Sequence, residues 1–201
     1  MPSRNNKTKI RPNQYEKTIK IAGRLMSHKG YKAASLEEIA SKVGIHKSTI
    51  YHYFKNKETL LFEVMKLGIY EGIQNLKEII DDDSLSPEDK LKHAITNHIK
   101  NILKFRDNFN VYHSETRFLP PKYRKISLQA REDYAILFKK IIVSIQKSDS
   151  NYFKDIDSQI INLAIMGMCN WILKWHKPSG KYTPDEIAEM FYKLLIQDVS
   201  K

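Results

Sequence analysis

Three helix-start signals punctuate this chain and leave little room for anything but an α-helical fold. Ser35 stands three residues ahead of Glu38, the reciprocal cap in which hydroxyl and carboxylate each take up an open backbone N–H. Ser86-Pro87-Glu88-Asp89 and Thr183-Pro184-Asp185-Glu186 carry a stronger version. A capping hydroxyl is followed by proline, whose missing N–H costs nothing in the first turn, and then by carboxylates at the positive end of the helix dipole. Between these signals apolar residues recur at helical spacing. Glycine is scarce, and no run of alternating β-branched residues suggests a sheet.

The spacing predicts helices over about 13–28, 35–43, 46–54, 56–80, 87–105, 109–117, 122–147, 156–176 and 184–199. That is an all-α chain of about nine helices. Gly30 occupies a C-terminal stop position after the first helix, and Gly44 a turn that commonly needs positive φ. Asp81-Asp82-Asp83 reads as a solvated loop and not as a metal site. Cys169 is the single cysteine, so neither a disulfide framework nor a cysteine metal cluster is expected, and a buried, inert thiol is. No window reaches the roughly 18 uncharged apolar residues of a membrane span. The start is polar and basic, without the apolar stretch of a secretory signal, so the expectation is a cytoplasmic protein with no membrane partner.

The formal charge of +11 is unevenly placed. Residues 1–60 hold 13 Lys+Arg against 4 Asp+Glu, a net of +9, whereas residues 61–201 hold 21 against 19, a net of +2. An excess concentrated in the first third points to a polyanion partner for that third. On charge alone, a solvated basic surface fits equally well. Residues 1–12, with Arg4, Lys7, Lys9 and Arg11, read as a flexible basic arm.

The stretch 35–57 shifts the balance. Two short helices joined at Gly44, the second polar on its outer face, have the layout of a helix-turn-helix. Lys47, Ser48, Tyr51 and His52 share one face of the second, while Ile50 and Phe54 face the other way. A helix of that width enters the major groove of duplex DNA, where its N-terminal residues meet base edges and flanking groups grip phosphates. Candidate DNA contacts are therefore Ser35 (at a helix N-terminus that suits an anion), His46, Lys47, Ser48, Thr49, Tyr51, His52, Tyr53 and Lys57.

Residues 17–65, KTIKIAGRLMSHKGYKAASLEEIASKVGIHKSTIYHYFKNKETLLFEVM, resemble the DNA-binding domain of the TetR family of bacterial and archaeal repressors. The resemblance rests on GYKAASLEEIA followed by VGIHKSTIYHYFKNKETL. It implies a dimer of all-helical subunits, with an N-terminal three-helix DNA-binding domain and a larger C-terminal helical ligand-binding and dimerisation domain. The expected division is an arm at 1–12, the helix-turn-helix domain at 13–57 and the effector domain at 58–201. By position, Lys47, Ser48 and Thr49 would touch bases or nearby phosphates, and Tyr51, His52 and Lys57 would hold the backbone. His46 and Ser48 stand where many relatives have Ser or Thr and Gly, which leaves the operator sequence open.

Such a repressor needs an apolar effector pocket with a few polar anchors. The candidates are the aromatic residues Phe105, Phe109, Tyr112, Tyr123, Tyr134 and Phe138, the arginines Arg117, Arg124 and Arg131, and Met166, Asn170 and Trp171. Residues 170–191, NWILKWHKPSGKYTPDEIAEMF, resemble the branch of the family that controls fatty-acid and sterol breakdown. Members of that branch leave DNA on binding acyl-coenzyme A. Lys177 and Ser179 stand where Arg and Gly are more usual there. Trp175, Ile187, Met190, Phe191 and Leu194 are candidates for a dimer seam, which would place two reading helices on half-sites about 34–36 Å or more apart.

Other classes fit less well. No phosphate-binding glycine loop, nucleophile elbow or zinc spacing occurs, which argues against an enzyme. A basic helical module that binds an acidic protein, or the same fold with a drug-like ligand, remain alternatives.

Overall fold

The computed structural model of the chain describes residues 12–148 and 150–196. Its helices are α1 (Pro12–Lys29), α2 (Leu36–Val43), α3 (Lys47–Tyr53), α4 (Lys57–Asp81), α5 (Pro87–Lys104), α6 (Arg106–Glu115), α7 (Pro121–Lys147), α8 (Ser158–Asn170), α9 (Ile172–Trp175) and α10 (Pro184–Ile196). A single 3-10 turn, Thr116–Phe118, follows α6, and there is no strand among the described residues. The chain is all-helical. The basic arm, apart from Pro12, and the expected last residues of the final helix, to Val199, lie outside the described residues.

The capping side chains take up open backbone N–H groups, although the reciprocal cap expected at Ser35 forms only in half, because the Glu38 carboxylate pairs with Lys29. Ser35 Oγ accepts from the Glu38 N–H at 3.1 Å, Asn56 Oδ1 from the Thr59 N–H at 2.9 Å, and Ser86 Oγ from the Asp89 N–H at 3.1 Å. At α10 the exchange is mutual: Thr183 Oγ1 accepts the Glu186 N–H at 3.2 Å and Glu186 Oε2 accepts the Thr183 N–H at 2.8 Å. Each such cap contributes roughly 1 kcal/mol. Gly44 sits at φ 82°, ψ 38°, in the left-handed region, and a Cβ there would meet nothing within 4 Å. Backbone conformation, and not crowding, is what asks for glycine at this turn.

Two expected boundaries are corrected. The helix expected at 109–117 begins at Arg106 and gives way to the 3-10 turn at Thr116. Phe105 alone separates it from α5, bonding its N–H to Asn101 and its carbonyl to Phe109, so neither Gly nor Pro marks the break. The rod expected at 156–176 begins at Ser158 and is interrupted at Trp171. Trp171 keeps helical angles and an N–H bond to Gly167, so neither Gly nor Pro marks this break either.

The buried apolar residues form two cores. Ile19, Ala22, Met26, Ile39, Val43, Ile50 and Phe54 pack with Leu60, Leu61, Val64, Met65 and Ile69 in the first. Leu76 and Ile79 join Leu91, Ile95, Ile99, Phe138, Ile142, Ile161 and Ile165 in the second. Each fully buried side chain of this size contributes roughly 1.5–3 kcal/mol. Helix α4 runs through both cores and packs against α1, α5, α6 and α7.

Candidate nucleic-acid interface and ligand cavity

α3 is fixed by its inner face. Ile50 and Phe54 are buried, and Tyr15 of α1 stacks on Phe54 with ring centroids 5.1 Å apart. Tyr53 packs edge-on against Tyr15 and donates its hydroxyl to Gln14 at 3.3 Å. On the outer face His46, Lys47, Ser48, Tyr51 and His52 are exposed together, with Thr49 half-buried at their edge. The Lys47 ammonium is paired with the Glu37 carboxylate in the first turn of α2.

Three of the residues expected at DNA also serve the fold. The Ser35 hydroxyl caps α2, and Tyr53 is half-buried against α1. Lys57 donates to the Lys32 carbonyl at 3.2 Å and lies 4.5 Å above the Tyr31 ring. Burial pulls the Lys57 pKa below the ordinary lysine value. Lys17 closes the other side of the unit by donating to the Val43 carbonyl at 2.9 Å, where the last carbonyls of α2 need a cation.

Below this unit a cavity of about 640 Å³ opens between α4, α5, α6, α7 and α8, within the size range of small-molecule pockets. α4 contributes Gly68, Ile69 and Gly72 to its wall. Both glycines permit close approach: a Cβ on Gly68 would lie 2.7 Å from Phe109 Cε2, and one on Gly72 would lie 2.9 Å from Asn101 Nδ2. Of the expected ligand contacts, Phe109, Tyr112, Arg131, Tyr134, Met166 and Asn170 line the cavity.

The others lie elsewhere. Phe105 sits at the α5–α6 junction against Gly68, and Phe138 is fully buried in the second core. Tyr123 stacks on Phe62 with centroids 4.6 Å apart, its hydroxyl 3.2 Å from that of Thr59. Arg117 lies over Phe118, and Arg124 donates to the carbonyls of Arg117 and Leu119, tying down the chain before α7. Trp171 is 63% exposed and faces outward.

Four polar residues of the cavity floor, His98, Asn101, Asn162 and His113, were not singled out by the sequence as ligand contacts, and they join Tyr134, Asn170 and Arg131, which were. His98 is buried between two partners, with Nδ1 2.9 Å from the Tyr134 hydroxyl and Nε2 3.2 Å from Asn170 Oδ1. Burial pushes its pKa down to about 4, so the ring is neutral and carries one proton. An amide oxygen can only accept, so Nε2–H donates to Asn170 and the Tyr134 hydroxyl donates to Nδ1. Asn101 donates Nδ2 to the Gly68 carbonyl at 2.8 Å, and Asn162 donates Nδ2 to the Ala135 carbonyl at 3.1 Å. His113 and Arg131 also line the cavity. The His113 pKa is held down by burial and then by the charges of Lys174 and Arg131. Cys169, behind this floor, is buried, and its thiol is pushed up to about 12.

Exposed apolar side chains recur on α8, α9 and α10 and at Trp171. Leu194 is 72% exposed, and Ile160, Leu163, Trp171, Trp175 and Met190 are exposed with it. Of the residues expected at a dimer seam, Ile187 is buried within the subunit and Phe191 is half-buried.

Residues 19–64 match the family model for bacterial regulatory proteins of the tetR family, and residues 84–199 match that for the tetracyclin repressor-like C-terminal domain. The chain belongs to the TetR family. Members of this family are transcriptional regulators and not enzymes, and that is the class of this protein. It is 21% identical over 192 residues to the HTH-type transcriptional repressor KstR2 of Mycolicibacterium smegmatis, spanning 92% of this chain and 90% of the relative. It is 32% identical over 85 residues to the fatty acid metabolism regulator protein of Bacillus subtilis, spanning 42% and 43% of the two chains. AibR, solved in complex with isovaleryl coenzyme A and operator DNA, superposes with a TM-score of 0.78 at 25% identity over 91% of this chain and 98% of that one. The TetR family regulator PfmR from Thermus thermophilus superposes with a TM-score of 0.82 at 21% identity over 92% and 99%. No helix among the described residues is long and apolar enough to cross a membrane.

Proposed function

We propose that this regulator represses transcription as a two-fold dimer on a palindromic operator and leaves the DNA when an acyl-coenzyme A enters the cavity. The observation that carries the proposal is the double duty of α4. Its N-terminal end packs against α1 and places Leu60 and Leu61 in the same core as Ile50 and Phe54 of the reading unit, and one turn pair later Gly68, Ile69 and Gly72 form a cavity wall. A ligand that moves the wall moves the root of the reading unit.

On the DNA side, Lys47, Ser48, Tyr51 and His52 face a groove, with His46 and Thr49 beside them. On the ligand side, Ile69, Phe109, Leu128 and Met166 offer apolar surface for a chain. Burial contributes roughly 0.8 kcal/mol per methylene, so a chain of several carbons exceeds the roughly 1–3 kcal/mol of a typical allosteric coupling. Arg131 in the cavity wall, with Lys174 close to His113, supplies positive charge for the phosphates of the coenzyme, and the neutral His113 ring adds a hydrogen-bonding group. The likeness to AibR supports a coenzyme A thioester over a drug-like ligand. The exposed apolar residues of α8–α10 meet their two-fold copies, and each subunit presents one reading helix to one half-site.

The test is a band-shift titration of an operator selected from random sequence, using acyl-coenzyme A thioesters of increasing chain length. Release of DNA at micromolar thioester, with an optimum in length, is expected. Retention of the operator with every thioester would remove the effector assignment and leave the DNA assignment standing.

A further inference from the structure

Asn101 and Asn162 share an arrangement that the cavity's apolar lining does not explain. Each is buried, with 5% and 1% of its surface exposed, and each lines the cavity. Each donates Nδ2 to a helix carbonyl: Asn101 of α5 to Gly68 of α4, Asn162 of α8 to Ala135 of α7. Those bonds fix which atom is which, because a flipped amide would set oxygen against oxygen. The two remaining Oδ1 atoms are buried and have no hydrogen-bond partner. Leaving a buried acceptor unmade is costly, and one such group per cavity would already ask for a reason. The third polar set of the floor, His98 with Tyr134 and Asn170, satisfies itself and lends neither asparagine a donor.

We infer that the effector carries a hydrogen-bond donor, a hydroxyl or an amide N–H on its apolar part, and that the Oδ1 of Asn101 or of Asn162 receives it. This inference rests on the cavity being the effector site, as proposed above, and specifies which members of the acyl class it takes: hydroxylated or amide-bearing chains ahead of plain hydrocarbon ones. Selectivity has a sign here. In an apolar pocket without acceptors, a hydroxyl weakens binding because its own hydrogen bonds to water are lost. Opposite an unmatched acceptor, the same hydroxyl strengthens it by about tenfold or more.

The experiment is calorimetric titration of the full-length protein with four coenzyme A thioesters of one twelve-carbon chain: unsubstituted, or hydroxylated beside the thioester, at mid-chain or at the far end. At least one hydroxylated thioester is expected to bind about tenfold or more tightly than the plain one. That preference is expected to shrink to near unity in Asn162→Ala or in Asn101→Ala, whichever faces the hydroxyl, with far-UV circular dichroism and operator binding used to establish folding. Equal or weaker binding of all three hydroxylated thioesters overturns the inference while leaving the cavity as the effector site. Binding of none of the four removes the effector assignment and the inference together.

Discussion

Lys47, at the start of the reading helix, is held by Glu37 in the first turn of the helix before it. Both side chains are exposed, and on the DNA-binding face proposed above the carboxylate competes with a phosphate or a base edge for the ammonium. DNA must therefore draw Lys47 away from a neighbour of the sign it will meet on the duplex. Replacing Glu37 by Gln removes the competitor and keeps the shape. Operator affinity is expected to rise about two- to tenfold, as an exposed ion pair is weak. Band shifts at low and physiological salt check this, with the larger gain expected at low salt.

The opposite change tests the face itself. Lys47→Ala and Tyr51→Ala each remove one group from the exposed side of α3 and touch no core residue. Affinity is expected to fall about tenfold or more. For a contact to phosphate, the dependence of log affinity on log salt flattens by about one unit. An unchanged affinity in either folded variant would place the duplex elsewhere on the protein.

His98 predicts a pH dependence of stability. Its folded pKa is pushed down to about 4 by burial from an ordinary value of 6.5. Between those values the unfolded chain takes up a proton that the folded chain refuses, so stability falls as the pH drops from 6.5 towards 4. The loss amounts to about 3 kcal/mol across the window. His98→Gln is expected to flatten that slope, read as the difference between the two chains in denaturant unfolding at pH 7 and pH 5. His113 and His176, also held low, are present in both chains and cancel.

Gly68 tests the closeness of α4 to its neighbours. A methyl group at this position would press on the Phe109 ring at 2.7 Å and on Phe105 Cβ at 3.1 Å. Gly68→Ala is expected to cost about 1–3 kcal/mol through overpacking. The ring it displaces belongs to the cavity wall, so thioester affinity is expected to fall as well. Denaturant midpoints and calorimetric titration separate the two effects.

The exposed apolar residues of α8–α10 are tested by charge. Leu194→Glu and Trp171→Glu put a carboxylate at the two most exposed of these positions. Either is expected to weaken self-association by about 30-fold or more, measured by sedimentation equilibrium. Ile187→Glu is a poor test, because Ile187 is buried within the subunit and the change would unfold it.

Much of the fold was legible because helix starts are written locally. A hydroxyl, a proline and a carboxylate within four residues announce α5 and α10, and Gly44 announces the turn before α3. The breaks at Phe105 and Trp171 were not, because neither position holds a Gly or Pro that forbids continuation of the helix. The exposed polar face of α3 could be found from spacing alone, since the apolar residues Ile50 and Phe54 point the other way. The cavity floor could not. His98, Asn101 and Asn162 look like ordinary polar positions on amphipathic helices, and only the convergence of α4, α5, α7 and α8 buries them. Arg117 and Arg124 are close in sequence to Arg131, yet they bind the chain around the 3-10 turn and not the cavity.

The passage of α4 through both cores has a bearing on how such proteins can be recombined. The first core does not end at the start of α4 but continues to Ile69 and takes in Val111, Tyr112 and Leu119 from beyond it. A splice made just after Phe54 would cut the reading unit away from most of what holds it upright. Exchanging sensors between relatives would succeed only where the graft carries a matched α4 and the residues of α6 that lean on it.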